Sequence, residues 1–492
     1  MHTLPNSSSG RGRVGLWRTV LGCEWRLARS DAGTWLAVLL VLACVAYALF
    51  NGQQRVAERS ASVGIALADQ TERLQGLRQQ LIEIEAGRAK PPSQPWRDPS
   101  NPIGVGRGSA AAIAHWSDAP LAATAVGLAD LYPASFRVGV GSRDRFLFSD
   151  EIANPLQLAT GSFDLVFVVV YLLPLLLVAL SYNVMSGERE QGTWALTAAS
   201  SAPPLPILLA KLLLRGGIAV AALLLFTAAG LWLQGAPLAS AEAVGAFAAW
   251  GLTLLLYAGF WLALALWVNS WHFSSAFNAL ALVMAWVLLV VLLPALISAT
   301  AQALYPAPSR AEVVLAVREA AVDADRDRAA EQARFSAEHG LTTPANAGAA
   351  NERHALLLTL AADRRADAVL SQHEALVRQQ RALTDRLGLL SPALLVNDTL
   401  SELGGNGHSQ WDAYLGRVDA FHTQWQAFFV ERAQAGLRLG SADIERLPRY
   451  DEVRASIWAP GAAQRMLSTW AVLALALLGL MVLARRGLMR AG

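Results

Sequence analysis

The chain has 492 residues, of which 54% are hydrophobic and only 16% charged, whereas an average soluble domain carries about 25% charged residues. This composition predicts that much of the chain lies in lipid, and a net charge of +2 excludes the strongly basic surface of a nucleic-acid-binding protein. Cys23 and Cys44 are the only cysteines, so we expect no disulfide to stabilise an exported region.

The N-terminal segment, residues 1–32, is predicted to be cytoplasmic and to contain an amphipathic helix that lies along the membrane surface. The expected apolar stripe consists of Trp17, Leu21, Trp25 and Ala28, and the expected polar face of Glu24, Arg26 and Arg29. The first apolar stretch after it is long enough to cross a membrane, which predicts an uncleaved signal anchor.

Six stretches come close to the roughly 20 apolar residues that a membrane-spanning helix needs. They are residues 33–50, 164–184, 213–233, 246–268, 277–299 and 466–484. Pro174 and Pro294 interrupt two of them, and neighbouring helices can satisfy the carbonyl groups that these prolines free. The fold class predicted is therefore an all-α polytopic membrane protein with six transmembrane helices.

The orientation follows from the positions of lysine and arginine. Basic residues concentrate before the first span, in the loop 185–212 and in the tail 485–492. This bias predicts a multi-pass protein of the bacterial inner membrane with both termini in the cytoplasm. The two large insertions, 51–163 and 300–465, then face the periplasm.

Both insertions are predicted to be mainly helical, with a small β content in the first. Leu74, Leu77, Leu81 and Ile84 form a stripe with helical spacing, which continues the first span and ends before Pro91. The short β segments are expected at 136–140 and 146–148, and the helices of the second insertion at 309–339, 352–390 and 409–435.

Five residues outside the cytoplasmic loops are candidates for a pathway or an external surface, and one of them is Pro174 in the middle of the second span. Trp411, Phe421 and Trp425 lie on one face of the helix 409–435, and this stripe is either a ligand surface or a buried seam between helices. Asp164 opens the second span, where it either stabilises the helix dipole or contacts a substrate. The irregularly spaced histidines predict no metal site.

The loop between the second and third spans is short, charged and interrupted by prolines. It contains Glu188, Arg189, Glu190, Gly192, Thr193 and Trp194, followed by Pro203 and Lys211. The spacing alone leaves two interpretations open: an ordinary positive-inside loop, or a docking helix whose glutamates bind basic residues of a partner.

This loop resembles that of the ABC type-2 exporter permease family, in which a Glu-Arg-x-x-Gly-Thr signature precedes a proline and a lysine. Here the matching residues are Glu188, Arg189, Gly192, Thr193, Pro203 and Lys211. The resemblance implies that residues 185–212 form a coupling helix that docks onto a separate ATPase, and that the N-terminal amphipathic helix is the elbow helix of the family.

The chain also resembles a subgroup of that family with large external insertions, through Asn154-Pro155, the run 161–164, the run 171–175 and Ser391-Pro392-Ala393. The membrane core is also similar to that of the permease of the nitrous-oxide-reductase maturation system. The substrate and the function of the insertions do not follow from this resemblance.

The chain is not expected to be an enzyme, because a phosphate-binding loop needs a Gly-Lys pair and neither Lys90 nor Lys211 follows a glycine. We therefore expect no cofactor on this chain, with ATP and Mg²⁺ bound by the partner. The resemblance implies a dimer of cytoplasmic ABC ATPase subunits and a second permease, either identical or paralogous. The bilayer and a periplasmic protein complete the expected partners.

Two functions remain open from the sequence. In the first, the chain is the permease subunit of an ABC exporter that moves substrate across the inner membrane. In the second, it transports nothing and relays ATPase motion to a periplasmic partner. The nearly charge-free spans disfavour a proton-coupled transporter, which would need ionisable groups along its path.

Overall fold

The structure is a computed structural model, and it describes residues 9–94, 97–130, 132–141, 163–194, 204–236, 239–327, 347–451, 456 and 458–490. Six of its helices are long and apolar enough to cross a membrane. This confirms the prediction of an all-α polytopic membrane protein.

The helices that carry the N-terminus and the spans are α1 (Ser9–Ser30), α2 (Ala32–Glu85), α4 (Leu165–Phe167), α5 (Leu173–Ser181), α6 (Ser186–Glu190), α7 (Pro204–Leu233), α8 (Ala241–Asn269), α9 (Ser275–Trp286), α10 (Leu293–Leu304) and α16 (Pro460–Arg490). Helix α3 (Pro102–Gly104) belongs to the first insertion. Spans 1 to 6 are α2, α4 with α5, α7, α8, α9 with α10, and α16. Most of these helices extend beyond the predicted spans, because hydropathy marks the lipid-facing part of a helix and not its ends.

The spans differ in how much protein surrounds them. In spans 2 and 4, 67% of the most apolar stretch is buried, but only 17% is buried in spans 5 and 6. Leu36 of span 1, Leu280 of span 5 and Leu475 of span 6 are each more than 60% exposed. Spans 2 and 4 therefore form the centre of the bundle, and the outer spans present apolar side chains outward, as a lipid environment requires.

The prolines in the interior of spans 2 and 5 each follow a π-helical turn. The turn Val168–Leu172 precedes Pro174 in span 2, and the turn Val287–Leu292 precedes Pro294 in span 5. A proline cannot donate to the carbonyl four residues before it, and a wider turn relieves the clash of its ring.

Side chains from neighbouring elements satisfy carbonyls that these turns free, as expected from the sequence. The Tyr257 hydroxyl donates to the Val170 carbonyl at 3.0 Å, and the Trp286 indole donates to the Tyr171 carbonyl at 3.2 Å. The Ser391 hydroxyl donates to the Leu289 carbonyl at 3.2 Å.

Span 1 continues without a break into the first insertion, as the leucine stripe predicted. The 54-residue helix α2 ends at Glu85, before Pro91, and Leu77 and Leu81 are buried. Strand β1 (Ala112–His115) pairs antiparallel with strand β2 (Ser135–Val138), with Ala112 opposite Val138. Strand β2 confirms the segment predicted at 136–140, whereas the segment at 146–148 lies outside the described residues.

The second insertion contains α11 (Arg310–Arg326), α12 (Ala347–Gly388), α13 (Pro392–Leu403), α14 (His408–Gln434) and α15 (Ser441–Glu445). The part of α2 beyond span 1, residues 51–85, is called the insertion arm below. Helix α14 packs over the two strands, the π turn Val105–Ser109 and the C-terminal part of the insertion arm, and together they enclose a second hydrophobic core. The Tyr414 hydroxyl donates to the Ala114 carbonyl at 3.0 Å and the Trp425 indole to the Gly106 carbonyl at 3.2 Å. The two insertions thus fold as one unit.

Helix α13 was not predicted. The sequence analysis ended a helix before Ser391-Pro392, but this pair also begins a new helix, with the Ser391 hydroxyl accepting from the Leu394 amide and proline in the first turn. Its apolar face joins the core of the spans, where Val396 and Leu400 are fully buried. Part of the second insertion therefore packs against the membrane-spanning bundle.

Candidate functional site

The predicted coupling loop lies at the end of the bundle that also holds α1, the turn 270–274 and the C-terminus of α16; this end is called the terminal end below. Span 2 stops at Ser181, four residues form a turn, and α6 (Ser186–Glu190) carries the signature. The opposite end, where α2 passes into the first insertion, is called the insertion end.

A Schellman cap ends α6 and explains the glycine of the signature, while the Thr193 hydroxyl adds a bond to the Glu188 carbonyl at 3.1 Å. The Gly192 amide donates to the Arg189 carbonyl at 3.1 Å, and the Thr193 amide donates to the Glu188 carbonyl at 2.9 Å. Gly192 has a φ of +75°, which strains any residue with a Cβ. Among the described residues, none lies within 4 Å of the place where a Cβ would be, so conformation and not space requires glycine here.

Lys211 lies between two carboxylates. Its Nζ is 3.3 Å from Glu24 Oε1 and also forms an ion pair with Glu188. The side chains of Lys211 and Glu24 are only 8% and 5% exposed. Buried charges require such pairing, because removing an ion from water costs several kcal/mol. One lysine thus joins the elbow helix α1, the loop helix α6 and span 3.

The Glu24 carboxylate also binds Arg215, whose Nη2 lies 3.1 Å from Glu24 Oε2. The sequence analysis placed Glu24 on the solvent-facing side of α1, and this was wrong. Glu24 and Ala28 are one helical turn apart, both are buried, and their common face packs on α7. Amphipathicity alone did not reveal a basic pair, Lys211 and Arg215, on the neighbouring helix.

Glu190 and Arg189 bind the turn between spans 4 and 5. The Glu190 carboxylate accepts from the Ser275 amide at 2.7 Å and from the Ser275 hydroxyl at 2.9 Å, at the N-terminus of span 5. The Arg189 guanidinium donates to the His272 carbonyl. Glu188 and Glu190, predicted as acceptors for a partner's basic residues, are therefore both engaged within the chain.

Two asparagines, which the sequence analysis did not single out, fix the turn that precedes α6. Asn269 Nδ2 donates to the Ser181 carbonyl at 3.1 Å, and Asn269 Oδ1 accepts from the Met185 amide at 3.3 Å. Asn278 is fully buried and donates to Asn269 Oδ1 at 3.3 Å. Burying an amide side chain without a hydrogen-bond partner costs free energy, so an asparagine in an otherwise apolar helix is expected to have a partner. This expectation is the sequence signal that could have identified both residues.

These contacts leave a small part of the loop open to solvent. Residues 189–193 are exposed, and they form the surface called the loop tip below. Trp194 is half-buried and packs with Leu205 and Leu209 against the core of the terminal end. Pro203 lies outside the described residues.

The N-terminal segment contains a helix as predicted, over Ser9–Ser30. Trp25 is 46% exposed and Arg26 is also exposed. The backbone at Trp17 is helical, but its side chain lies outside the part of the chain that the structure describes.

Asp164 is buried and caps span 2. Its carboxylate accepts from the Phe167 amide at 2.8 Å and from the Val126 amide at 2.9 Å. It therefore ties the start of the span to the first insertion, which fits the structural alternative. Pro174 follows the π turn Val168–Leu172 in the chain and is buried in the centre of the bundle.

The aromatic stripe of α14 is buried, which fits the packing alternative. Trp411 is 4% exposed, Phe421 4% and Trp425 1%. Trp411 stacks on Tyr132 with ring centroids 4.1 Å apart. The stripe packs mainly on the strands, not on a second helix as expected.

A cavity of about 370 Å³ lies at the insertion end between α12, α13 and α16. Arg381, Asp398, Glu402 and Arg465 line it. Burial raises the pKa of Asp398 to about 7, and the carboxylates of Asp385 and Glu402 act in the same direction. Asp398 is itself exposed and lines the cavity, so solvent screens part of this effect.

In the described part of the chain, no three or more histidine, cysteine, aspartate or glutamate side chains are grouped so as to hold a metal ion. The contacts at the terminal end are ion pairs, caps and hydrogen bonds between helices. This arrangement can transmit a displacement of the loop tip to α1, span 3 and span 5.

The comparisons with known proteins give one match. The model of a domain of unknown function (DUF3526) matches residues 310–452, which is less than a third of the chain and falls within the second insertion. No curated protein and no solved structure matches the chain.

Proposed function

We propose that this chain is the permease subunit of an ABC type-2 exporter, which couples ATP hydrolysis on a separate ATPase to substrate export. The observation that carries the proposal is the loop tip, because residues 191–193 are exposed while the neighbouring Glu188 and Glu190 bind α7 and α9. Lys211 extends the attachment to α1 through Glu24. A docking surface that transmits force needs this combination of an open end and a rigid attachment.

The contacts define the route of that force. A push on the loop tip reaches span 3 and the elbow helix through Glu188, Lys211 and Glu24. It reaches span 5 through Glu190 and Ser275. In this proposal the terminal end is cytoplasmic, two permease copies assemble in the inner membrane, and an ATPase dimer holds the ATP and Mg²⁺.

A bulky residue at the loop tip tests the docking surface. Gln191 is exposed, and a tryptophan there disrupts a close contact whatever the charge of the opposing surface. We expect Gln191→Trp to abolish co-purification with the ATPase and ATP-dependent activity. Gln75→Trp, at an exposed position on the insertion arm of α2, is the control and should change neither. Normal ATPase binding by the Gln191→Trp variant would contradict the proposal.

Relay of motion to a periplasmic partner is the second candidate, and one observation favours it. Helix α2 runs for 54 residues from span 1 into the insertions, and α13 packs into the core of the spans. A movement of the spans must therefore move the insertions. Vesicles that contain the reconstituted complex separate the two functions, since ATP-dependent solute movement would rule out a relay that transports nothing.

A further inference from the structure

A second cavity, of about 290 Å³, lies at the insertion end between α2 and the loop 122–134. Its walls are partly apolar, with Val56, Ala122 and Val126 among the lining residues. Arg55, Glu58 and Arg59 of α2 also line it, together with Asn406. Gly52, another lining residue, is two residues beyond the predicted end of span 1, so we expect the cavity at about the depth of lipid headgroups.

Arg59 is fixed in this wall. Its side chain is only 9% exposed, and its guanidinium carbon lies 4.5 Å from the centre of the Trp116 ring. One terminal nitrogen, Nη1, donates to Asn406 Oδ1 at 3.3 Å and lies 3.6 Å from Asp118 Oδ1. The aromatic ring and these two partners set the orientation of the guanidinium plane.

The other edge of this guanidinium has no partner. The Nε and Nη2 atoms are both buried, and neither finds a hydrogen-bond acceptor in the described part of the chain. A buried charged donor without an acceptor is costly. The parallel N–H groups of this edge match two oxygens of one phosphate or carboxylate group. Burial of the guanidinium lowers the pKa of Arg59 below its ordinary value.

We propose that Arg59 forms an oxyanion-binding site, in which its Nε–Nη2 edge binds a phosphate or carboxylate group lodged in this cavity. The two sources of such a group are the headgroup of an anionic phospholipid and a soluble anion. The apolar walls and the expected depth of the cavity favour a lipid headgroup, whereas the Nε–Nη2 edge of the guanidinium can bind either a lipid headgroup or a soluble anion. This site is independent of the ATPase contact proposed above.

The test uses the purified full-length chain in detergent. One arm measures the unfolding temperature by tryptophan fluorescence in sodium phosphate or sodium acetate against sodium chloride at equal ionic strength, because a ligand of the native state raises that temperature. The other arm uses native mass spectrometry after delipidation and after phosphatidylglycerol is added back. Arg59→Lys keeps the charge and removes the fork, and Arg78→Lys is the same change at an exposed position on the same helix.

We expect wild type and Arg78→Lys to bind one of these probes and Arg59→Lys to bind it about tenfold more weakly. Retained phosphatidylglycerol without an effect of the soluble anions identifies a lipid site, and stabilisation by phosphate or acetate identifies a soluble ligand. Both results support an oxyanion site at Arg59. If wild type binds none of the three probes, or if Arg59→Lys binds as tightly as wild type, the proposal is overturned.

Discussion

Single residues with unusual environments hold the terminal end together, and Lys211 is the most constrained of them. It is one of only two lysines in the chain and is buried between Glu24 and Glu188. Gly192 adds a backbone conformation that other residues rarely adopt. Residues 188–193 and Lys211 therefore have a structural reason at several positions: a cap for α6, and an ion pair that fixes its base.

Replacing Lys211 by methionine should destabilise the protein strongly. The change leaves the buried carboxylate of Glu24 with Arg215 alone and removes the partner of Glu188, and breaking a buried pair costs about 3–5 kcal/mol. Lys90→Met is the matched control, because Lys90 is exposed and its replacement should change stability by less than about 0.5 kcal/mol. Thermal unfolding in detergent measures both, and equal midpoints would contradict the buried network.

Replacing Gly192 by alanine should weaken the coupling loop without unfolding the protein. The positive φ makes alanine unfavourable by about 1 kcal/mol, and the cap of α6 then opens. Gly187→Ala is the control within the same helix, since its Cβ would meet Asn183 at an ordinary 3.6 Å. Hydrogen exchange should quicken at residues 186–193 only in Gly192→Ala, and unchanged exchange there would show that the cap is dispensable.

Asp398 should make the stability of the protein depend on pH. Its ordinary pKa of 3.8 rises to about 7 in the folded state, so the folded state binds a proton more tightly than the unfolded state. The contribution of Asp398 to the free energy of unfolding is therefore fully present below pH 4 and is lost as the pH rises through 7. Asp398→Asn should match wild type near pH 4 and exceed it by about 1 kcal/mol at pH 8, a value reduced for the water that reaches the side chain.

Asp412→Asn is the control for this pH dependence, because Asp412 lines the same cavity, is exposed and pairs with Arg381 at 2.9 Å. The measurement is the thermal unfolding midpoint of wild type and both variants between pH 4 and pH 8. A gap between wild type and Asp398→Asn that stays constant with pH would show that Asp398 does not titrate in this range.

At the level of elements, long helices join the spans to the insertions. Helix α2 crosses from one to the other, and it touches the turn Ala122–Thr124 at Gly52. A Cβ at Gly52 would overlap the Ala123 carbonyl oxygen. This contact holds the first insertion against the end of span 1.

Gly52→Ala should therefore separate helix and turn. We expect a loss of about 1–3 kcal/mol, as in other overpacked sites. Gly64→Ala is the control on the same helix, where none of the described residues lies within 4 Å of the added Cβ. That change should be neutral or stabilising by up to about 1 kcal/mol, since alanine favours the helix. Similar unfolding midpoints for the two variants would contradict the close contact.

Several elements could be predicted from the sequence because their signals are local. Hydropathy located the six spans, and the leucine stripe extended the first of them into the insertion. Helix α13 was missed because twelve residues are too few to span a membrane, although its apolar face completes the core of the spans. Strand β1 was missed because the alanines around it lack the β-branched alternation that marks a strand.

The charged contacts of the candidate site lay beyond sequence patterns for a different reason. Arg215 and Glu24 are 191 residues apart in the chain, and no local periodicity reports a pairing over that distance. The signature residues were found because they are contiguous. Their acidic members were expected to face a partner, but the folded chain uses them internally.

On the scale of the whole molecule, the bundle has an exposed loop tip at one end and a folded unit of both insertions at the other. Spans 3 and 5 and the N-terminal helix α1 connect to the loop tip through Lys211 and Glu190, while α2 and α13 connect the spans to the insertions. This continuity is what the proposed exporter and the proposed relay have in common. Both require that an ATPase dock at residues 189–193.

Site-specific photo-crosslinking in cells tests that requirement most directly. A photoreactive amino acid replaces Gln191 at the loop tip or, as the control, Gln75 on the insertion arm, and mass spectrometry identifies the crosslinked protein. We predict that position 191 captures an ATPase with a phosphate-binding loop and that position 75 does not. Crosslinks from position 191 only to lipid or to proteins without a nucleotide site, or equal capture from both positions, would contradict the account.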